Sequence, residues 1–204
     1  MYICSIEIMY CMLLNDVLLN DGLFSGYSFR EKIDHKPEGD IGILQMKDIE
    51  NDYLNFDYQN IDKVKDFSFK DKFFLNKGDV LFVSKGVNNY AISIENVGFP
   101  IIASATFFVI RVNENKILSD YLAWYMNQSE AQNYFSEKKA GTYVPNLKKQ
   151  DILELPLKVP PLKTQNAIAQ TAKLLNQEIA ILDKIKENRK ELIQTQLLKI
   201  ITND

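Results

Sequence analysis

Three polar stretches of the chain combine cations, amides and aromatic rings, which are side chains suited to contact with nucleic acid. They span residues 27–32, 84–90 and 138–146. Lysine and arginine can hold phosphates and fix register, whereas asparagine amides can form paired hydrogen bonds with adenine edges. The candidate contact residues are Arg30, Lys32, Lys85, Asn88, Asn89, Tyr90, Lys138, Lys139, Thr142 and Tyr143.

Each stretch also has an ordinary structural interpretation. Polar turns that contain glycine occur on any β domain, and a lysine pair such as Lys138-Lys139 is commonly a solvated surface. Residue types alone therefore leave two alternatives for every stretch, nucleic-acid contact and plain surface loop.

Motifs of the common enzyme classes are missing from the sequence. There is no glycine-rich phosphate loop ending in Lys-Ser/Thr, no nucleophile elbow and no His-Glu-x-x-His. Val159-Pro160-Pro161-Leu162 lacks both flanking residues of the Asn/Asp-Pro-Pro-aromatic methyltransferase motif. The 2 cysteines and 1 histidine are also too few for a structural zinc site. We therefore expect no catalysis, no metal and no cofactor on this chain.

The composition is typical of a folded protein, and the chain has no overall excess of positive charge. Of the 204 residues, 46% are hydrophobic and 25% are charged, and the formal net charge is −3. Binding to nucleic acid would depend on local basic patches or basic partners. Residues 1–14 are apolar but include Glu7 and lack a basic leader, and the cysteines indicate no disulfide framework. We expect a cytoplasmic protein without a membrane span.

A β-rich domain is predicted to position the three stretches. Short strands are expected at Ile41–Met46 and Ala91–Ile94, and one or two buried strands between residues 100 and 112. Phe73–Leu75, a turn and Val80–Val83 read as strand, turn and strand. Residues 1–14 could be a helix, a strand or an extension outside the domain.

Helices dominate the sequence after the predicted strands. Ser119 is a candidate N-cap for a helix from Asp120 to Asn127, and Ser129 for a second helix through Phe135. A last short strand is expected before Pro160-Pro161. The predicted class is α+β, with a domain over residues 1–160 and a helix over residues 161–204.

That last helix carries an apolar stripe. No glycine or proline follows Pro161, and apolar residues recur at three- and four-residue steps. A helix of about 38 residues is about 57 Å long, more than a compact domain of this size needs. The stripe would pack against a second copy of the helix or, in the ordinary alternative, against its own domain. Its residues assigned to dimerisation are Ile168, Leu175, Ile179, Leu182, Ile193, Leu197 and Ile200.

Several segments, taken in order, resemble the specificity subunits of type I restriction-modification systems. The stretch from Ala140 to Ala169 is similar to the junction between a target recognition domain and the conserved helix of that family. The residues that carry the likeness are Ala140-Gly141-Thr142, Leu147, Asp151-Ile152, Leu155-Pro156-Leu157, Val159-Pro160-Pro161-Leu162, Gln165 and Ile168-Ala169. Upstream, Gly26–Arg30, Gln45–Ile49, Leu75–Phe82 and Lys85-Gly86 also resemble segments of such domains.

The resemblance implies a reader of double-stranded DNA that has no catalytic activity. Its expected fold is a β-rich target recognition domain followed by one long coiled-coil helix. In this family the subunit directs methyltransferase subunits, which use S-adenosylmethionine, and through them a restriction subunit. Family members have two recognition domains and two helices, so the resemblance implies a half-length form that pairs into a homodimer and reads a split palindrome. A 57 Å helix limits the separation to about 17 base pairs.

One other class of function fits the same features. A protein-interaction adaptor or decoy could use the helix without reading DNA, and the acidic balance of the chain favours it. The sequence leaves open the target, and whether the chain pairs with itself or with a different half subunit.

Overall fold

The computed structural model describes residues 10–30, 33, 35–49, 56–58, 60–65, 68–86, 88–95, 98–139 and 146–202. The chain divides into two compact units, Met1–Asn166 and Ala167–Asp204. The predicted boundary at residue 160 lies six residues before this division. Among the described helices, none is long and apolar enough to cross a membrane.

The described residues form strands and helices in a mixed order. The strands are β1 (Tyr10–Leu13), β2 (Leu18–Ser25), β3 (Ile41–Leu44), β4 (Asp62–Val64), β5 (Val80–Val83), β6 (Ala91–Ser93), β7 (Ile101–Ala103), β8 (Phe107–Val112) and β9 (Pro156–Val159). The helices are α1 (Leu14–Val17), α2 (Ser119–Met126), α3 (Ser129–Lys139), α4 (Lys149–Leu153) and α5 (Leu162–Thr202). The predicted α+β class with a long last helix is confirmed.

The strands of the first unit form three sheets. The largest has the order β2-β8-β5-β6 and is antiparallel throughout. The second has the order β4-β3-β7, in which β3 pairs antiparallel with β4 and parallel with β7. The third joins β1 to β9 in antiparallel register. Residues 10–14 thus belong to the domain, and Leu14 is fully buried in it.

A hydrophobic core joins the two larger sheets. Leu44 and Ile101 from the three-stranded sheet pack in one cluster with Leu81, Phe107 and Val109 from the four-stranded sheet. All four residues of β5 are buried, so this strand is covered on both faces. Helix α3 contributes to the second face, where the ring centroids of Phe82 and Phe135 are 4.9 Å apart. The strand predictions for β3, β5 and β6 are confirmed, and residues 100–112 hold two strands.

Some predicted details are wrong. Phe73 ends a short 3-10 helix and Phe74 makes only an isolated bridge to Ile102, so these residues do not form a hairpin with β5. Their rings pack on the second hydrophobic cluster, which takes precedence over strand pairing. Ser119 lies inside the first turn of α2, and its hydroxyl is 3.2 Å from Glu114 Oε1 instead of capping the helix. Helix α4 and strand β4 were not predicted.

The first turn of α5 is held by one buried side chain. Gln165 is fully buried, and its Oε1 accepts a hydrogen bond from the Leu118 N–H at 2.8 Å. Its Nε2 donates to the carbonyl oxygens of Pro160 at 2.8 Å and Lys116 at 3.1 Å. These bonds fix the chain entering α5 to the turn that precedes α2.

Candidate nucleic-acid interface

The first polar stretch is fixed to the end of strand β7. The Tyr27 N–H donates to the Ala103 carbonyl oxygen at 2.7 Å, and the Ala105 N–H donates back to the Tyr27 oxygen at 2.9 Å. A Cβ atom at residue 26 would lie 2.3 Å from the Ser104 oxygen, so this close approach requires glycine. The two backbones therefore hold the Tyr27 side chain in a defined place.

Aromatic rings support Tyr27 from one side. Its ring centroid lies 4.9 Å from that of Phe29, 4.9 Å from that of Phe69 and 5.3 Å from that of Phe73, all in edge-on contact. Edge-to-face contacts at these distances are favourable beyond the area they bury. The cluster makes a rigid base for the surface next to residues 27–30.

An open surface pocket of about 470 Å³ lies beside this cluster. We call it the Tyr27 pocket. It is lined by Tyr27, Ser28, Phe29, Ile33, Gln45, Met46, Lys47, Lys85, Ser104, Ala105 and Thr106. Two of the predicted stretches, residues 27–32 and 84–90, thus contribute to one pocket.

The third stretch reaches the second through Lys85. Lys85 and Asn146 form an isolated antiparallel bridge, and the Leu147 N–H donates to the Ser84 carbonyl oxygen at 3.0 Å. The Lys85 side chain is exposed and forms no ion pair with any residue that the structure describes. Its charge is therefore available at the place where the three stretches meet.

Lys47 has the opposite character, because two carboxylates balance its charge. Its Nζ lies 3.0 Å from Asp62 Oδ2 and 3.7 Å from Asp48 Oδ1. Gln45 Nε2 also donates to Asp62 Oδ2 at 2.7 Å, and the Gln45 N–H donates to Asp48 Oδ2 at 2.8 Å. The network fixes the wall of the Tyr27 pocket and pairs the Lys47 charge with carboxylates.

The network shifts the ionisation of its members in different directions. The hydrogen bond to Asp62 raises the pKa of Lys47. Burial raises the pKa of Asp48. Burial also acts to raise the pKa of Asp62, but the hydrogen bonds from Lys47 and Gln45 outweigh it, so that pKa lies below its ordinary value. Lys47 and Asp62 are consequently charged at neutral pH.

Some predicted contact residues are exposed and others lie outside the described residues. Arg30 and Asn88 are exposed at the surface. Lys32, Thr142 and Tyr143 fall outside the part of the chain that the structure describes. The predicted roles of these five residues remain predictions.

Asn89 and Tyr90 are buried, which argues against the predicted surface contacts. Asn89 is 5% exposed, and its Nδ2 donates to the Val83 carbonyl oxygen at 2.7 Å. Tyr90 is 8% exposed and belongs to the core cluster between the two larger sheets. The polar pattern 88–90 contains one outward amide, that of Asn88, and two side chains that hold the loop in place.

Lys138 and Lys139 end helix α3 in different environments. Lys138 Nζ lies 3.2 Å from Glu154 Oε2 and 5.3 Å from the Tyr134 ring centroid, and the bond to Glu154 raises its pKa. Burial lowers the pKa of Lys139. The Lys138 charge is thus shared with a carboxylate, unlike that of Lys85.

Sequence reasoning missed several residues of the Tyr27 pocket. Gln45 and Lys47 lie in a segment noted only for its family likeness, and Ser104 and Thr106 lie inside an apolar run that predicted a buried strand. No spacing rule links them to Tyr27, because the contact depends on sheet topology.

The second unit is a single helix with large exposed apolar residues. Ile168 is half-buried, whereas the other residues assigned to dimerisation are 49% to 73% exposed. We call these residues the first stripe. A second stripe, 48% to 64% exposed, consists of Leu174, Ile181, Ile185 and Leu192. At about 100° per residue the two stripes lie about 110° apart around the helix, so the apolar surface is wider than the sequence prediction.

Within the described ranges, no cluster of three or more His, Cys, Asp or Glu side chains that could hold a metal ion is present.

Comparison with known proteins finds specificity domains and subunits of type I restriction systems. The family model of the type I restriction modification DNA specificity domain matches residues 14–191. The type I restriction enzyme HindI specificity subunit of Haemophilus influenzae is 27% identical over 150 residues, which is 70% of this chain and 32% of that protein.

Solved structures show the same fold at low identity. A chain from work on complex assembly and conformational transition of the type I R-M system has a TM-score of 0.66 at 16% identity, covering 94% of this chain and 49% of its own. The HsdS subunit of Thermoanaerobacter tengcongensis has a TM-score of 0.62 at 15% identity, covering 90% and 46%. The S subunit of M. genitalium has a TM-score of 0.56 at 16% identity, covering 93% and 45%.

The chain spans about half the length of these solved relatives and 32% of the HindI subunit. The likeness to the solved structures carries the fold, and the family model carries the assignment because it matches most of the chain, from the start of α1 to the last third of α5. On that match, the chain belongs to the family of type I restriction-modification DNA specificity domains.

Proposed function

We propose that this chain is the DNA-recognition subunit of a type I restriction-modification system and directs methyltransferase and restriction subunits to a bipartite DNA target. Specificity subunits are non-catalytic, so methyl transfer belongs to the partner, where S-adenosylmethionine is bound. The system acts on DNA in the cytoplasm. The observation that carries the proposal is the meeting of three separate polar stretches around Lys85.

The contact among the three polar stretches supports DNA binding because it brings together cations and amides that can bind phosphates and base edges. The Lys85 charge is unpaired among the described residues, and Asn88 is exposed on the same loop. Arg30 follows the Tyr27 segment, Lys138 and Lys139 end helix α3, and Asn146 pairs with Lys85. In our proposal the cations hold phosphates, and Asn88, Thr142 and Tyr143 contact base edges.

The first stripe of α5 is proposed to pair with the same stripe of a second copy. Leu175, Ile179, Leu182, Ile193 and Leu197 are large, apolar and exposed, and they repeat at the spacing of a helix-to-helix contact. Helix α5 has 41 residues and is about 61 Å long, which limits the separation of two recognition domains to about 18 base pairs. A two-fold dimer would read a split palindrome.

The second stripe is proposed to contact the methyltransferase subunits. A helix that has one partner needs one apolar stripe, whereas α5 has two stripes that lie about 110° apart. Once the first stripe is covered by the second copy, Leu174, Ile181, Ile185 and Leu192 remain exposed to a further helix. This assignment gives the two stripes different partners.

Methylation mapping in cells tests the function. Adenine methylation is mapped by single-molecule sequencing in cells that carry the methyltransferase subunits, with and without this chain. A split palindromic motif that needs the chain supports the recognition function and the homodimer. A split motif without palindromic symmetry keeps the function but replaces the homodimer with unlike halves. A map that does not change with the chain contradicts the proposal and favours the adaptor.

A further inference from the structure

The Tyr27 pocket contains hydroxyl groups that the fold does not use. Ser28 and Thr106 line the pocket, and neither hydroxyl has a hydrogen-bond partner among the described residues. Ser104 also lines the pocket, and its Oγ is buried without a partner in the described part of the chain. Ser28 is exposed and Thr106 is half-buried, so their hydroxyls are open to a ligand, whereas the buried Ser104 Oγ lacks the partner that buried polar groups nearly always have.

The lining of the pocket includes one cation that has no carboxylate beside it. Lys47 lies 3.0 Å from Asp62 and 3.7 Å from Asp48, two carboxylates against one ammonium group, whereas Lys85 has no ion pair among the described residues. A hydroxyl can donate a hydrogen bond, and an ammonium group donates as many as three. Hydroxyl donors around one unpaired cation are suited to the oxygens of an anion that carries about one negative charge.

The shape of the pocket narrows the choice of anion. A concave surface cannot enter a DNA groove to reach base edges, but it can receive the sugar-phosphate backbone, which protrudes. Tyr27 and Phe29, two aromatic residues, line the pocket together with the hydroxyl-bearing residues, and their ring centroids are 4.9 Å apart. An apolar surface beside anion donors matches a deoxyribose joined to its phosphate.

We propose that the Tyr27 pocket binds one phosphodiester of the DNA backbone, with Lys85, Ser28 and Thr106 on the phosphate and the Tyr27 and Phe29 rings against the deoxyribose. The inference rests on the proposed function and adds a site to it. Because backbone contacts carry no direct sequence information, the pocket positions the domain on the duplex and does not select the target.

Binding of labelled duplexes to the full chain, alone and with its methyltransferase subunits, tests the site. Two duplexes are used, one with the mapped target and one with that sequence scrambled, over a series of salt concentrations. The variants are Lys85→Ala and Thr106→Val. The control for Lys85→Ala is Lys77→Ala, because Lys77 lies before β5 and Lys85 lies after it. The control for Thr106→Val is Thr171→Val on helix α5. Thermal melting establishes that each variant is folded, and Ser28→Ala replaces Thr106→Val if that variant is not.

The two variants are expected to differ in salt dependence. Thr106→Val should weaken binding to both duplexes by the same factor, about tenfold, without changing the salt slope, because a neutral hydroxyl releases no counterion. Lys85→Ala should weaken binding to both and lower the slope of log K against log salt by about 0.9. Lys77→Ala and Thr171→Val should bind like the unchanged chain.

Other results overturn the assignment in distinguishable ways. A Thr106→Val chain that loses affinity only for the target duplex places a base edge at the pocket, which contradicts the phosphodiester. Equal losses for Lys77→Ala and Lys85→Ala indicate a diffuse surface charge and no defined site. If Lys85→Ala and Thr106→Val both bind like the unchanged chain, the phosphodiester site is contradicted, but the proposed function is not. A wild-type chain that binds neither duplex contradicts the proposed function itself.

Discussion

Asn89 donates a hydrogen bond from Nδ2 to the Val83 carbonyl oxygen at 2.7 Å and so closes the loop between β5 and β6. The neighbouring Asn88 is exposed. Two adjacent asparagines thus have different tasks: one stabilises the loop that carries Lys85, and the other can face a ligand. The difference can be measured because the two side chains are chemically identical.

Asn89→Ala should lower the free energy of unfolding by about 1–2 kcal/mol, because the buried Val83 carbonyl loses its donor. Asn88→Ala should change it by less than about 0.5 kcal/mol, as expected for an exposed position. Urea unfolding followed by circular dichroism provides both values. Equal losses for the two variants would show that the Asn89 bond does not stabilise the loop.

Gln165→Leu should destabilise the first unit by about 2–4 kcal/mol. The change leaves the Leu118 N–H and the carbonyl oxygens of Lys116 and Pro160 without the partner that Gln165 provides. Gln170→Leu, on an exposed position of the same helix, is the control and should be nearly neutral. If urea unfolding gives the same midpoint for both variants, the buried side chain does not hold the start of α5.

Arg111→Met should cost about 3 kcal/mol or more in unfolding free energy. Arg111 Nε lies 2.9 Å from Asp79 Oδ1, and Nη2 donates to Asp79 Oδ2 at 3.0 Å and to the Phe74 carbonyl oxygen at 2.6 Å. The Asp79 side chain is 4% exposed, so removing the guanidinium leaves a buried carboxylate without its cation. Arg30→Met, at the surface, provides the control in the same denaturant series. A loss below about 1 kcal/mol for Arg111→Met would contradict the role given to this pair.

Tyr121 should make stability fall at high pH. Burial, with smaller contributions from Tyr125 and Glu130, raises its pKa from 10.0 to about 12, and its hydroxyl donates to the Lys158 carbonyl oxygen at 2.6 Å. Because the folded pKa is the higher one, this stabilisation is complete below about pH 10 and is lost as pH rises through about 12.

Tyr121→Phe should therefore show a weaker dependence of unfolding free energy on pH between about 10 and 12 than the unchanged chain. Tyr58, whose pKa burial also raises to about 12, retains its own contribution in both proteins. Urea unfolding at several pH values makes the comparison. Parallel curves for the two proteins would show that Tyr121 ionises alike in the folded and unfolded chains.

Leu182→Glu should convert the proposed dimer to monomers in light scattering, because it places a charge in the first stripe. Ile181→Glu changes the adjacent residue, which is 60% exposed against 56% for Leu182, but lies in the second stripe. It should leave the dimer intact and weaken capture of the methyltransferase subunits. A dimer that survives Leu182→Glu but not Ile181→Glu would reverse the two assignments.

Local pattern was enough for the elements with a strong period. The long helix was predicted because no glycine or proline interrupts α5 and apolar residues recur at its period, and β5 and β6 because β-branched residues stand between turns. The same reasoning failed at Phe73-Phe74-Leu75, where the rings contribute to an aromatic cluster formed by residues far apart in sequence. Strand propensity depends on residue type and near neighbours, so it does not predict a cluster of distant residues.

By itself, the sequence determined the mixed α+β class, the long C-terminal helix, the first apolar stripe and the family likeness around Pro160-Pro161 and Gln165. Only the tertiary structure decided which polar residues share a surface. It joined Lys85 to Asn146, turned Asn89 and Tyr90 inward and brought Gln45, Ser104 and Thr106 to Tyr27. The reason is physical: helix and strand periods act between near neighbours in sequence, whereas a surface site depends on the pairing of distant strands.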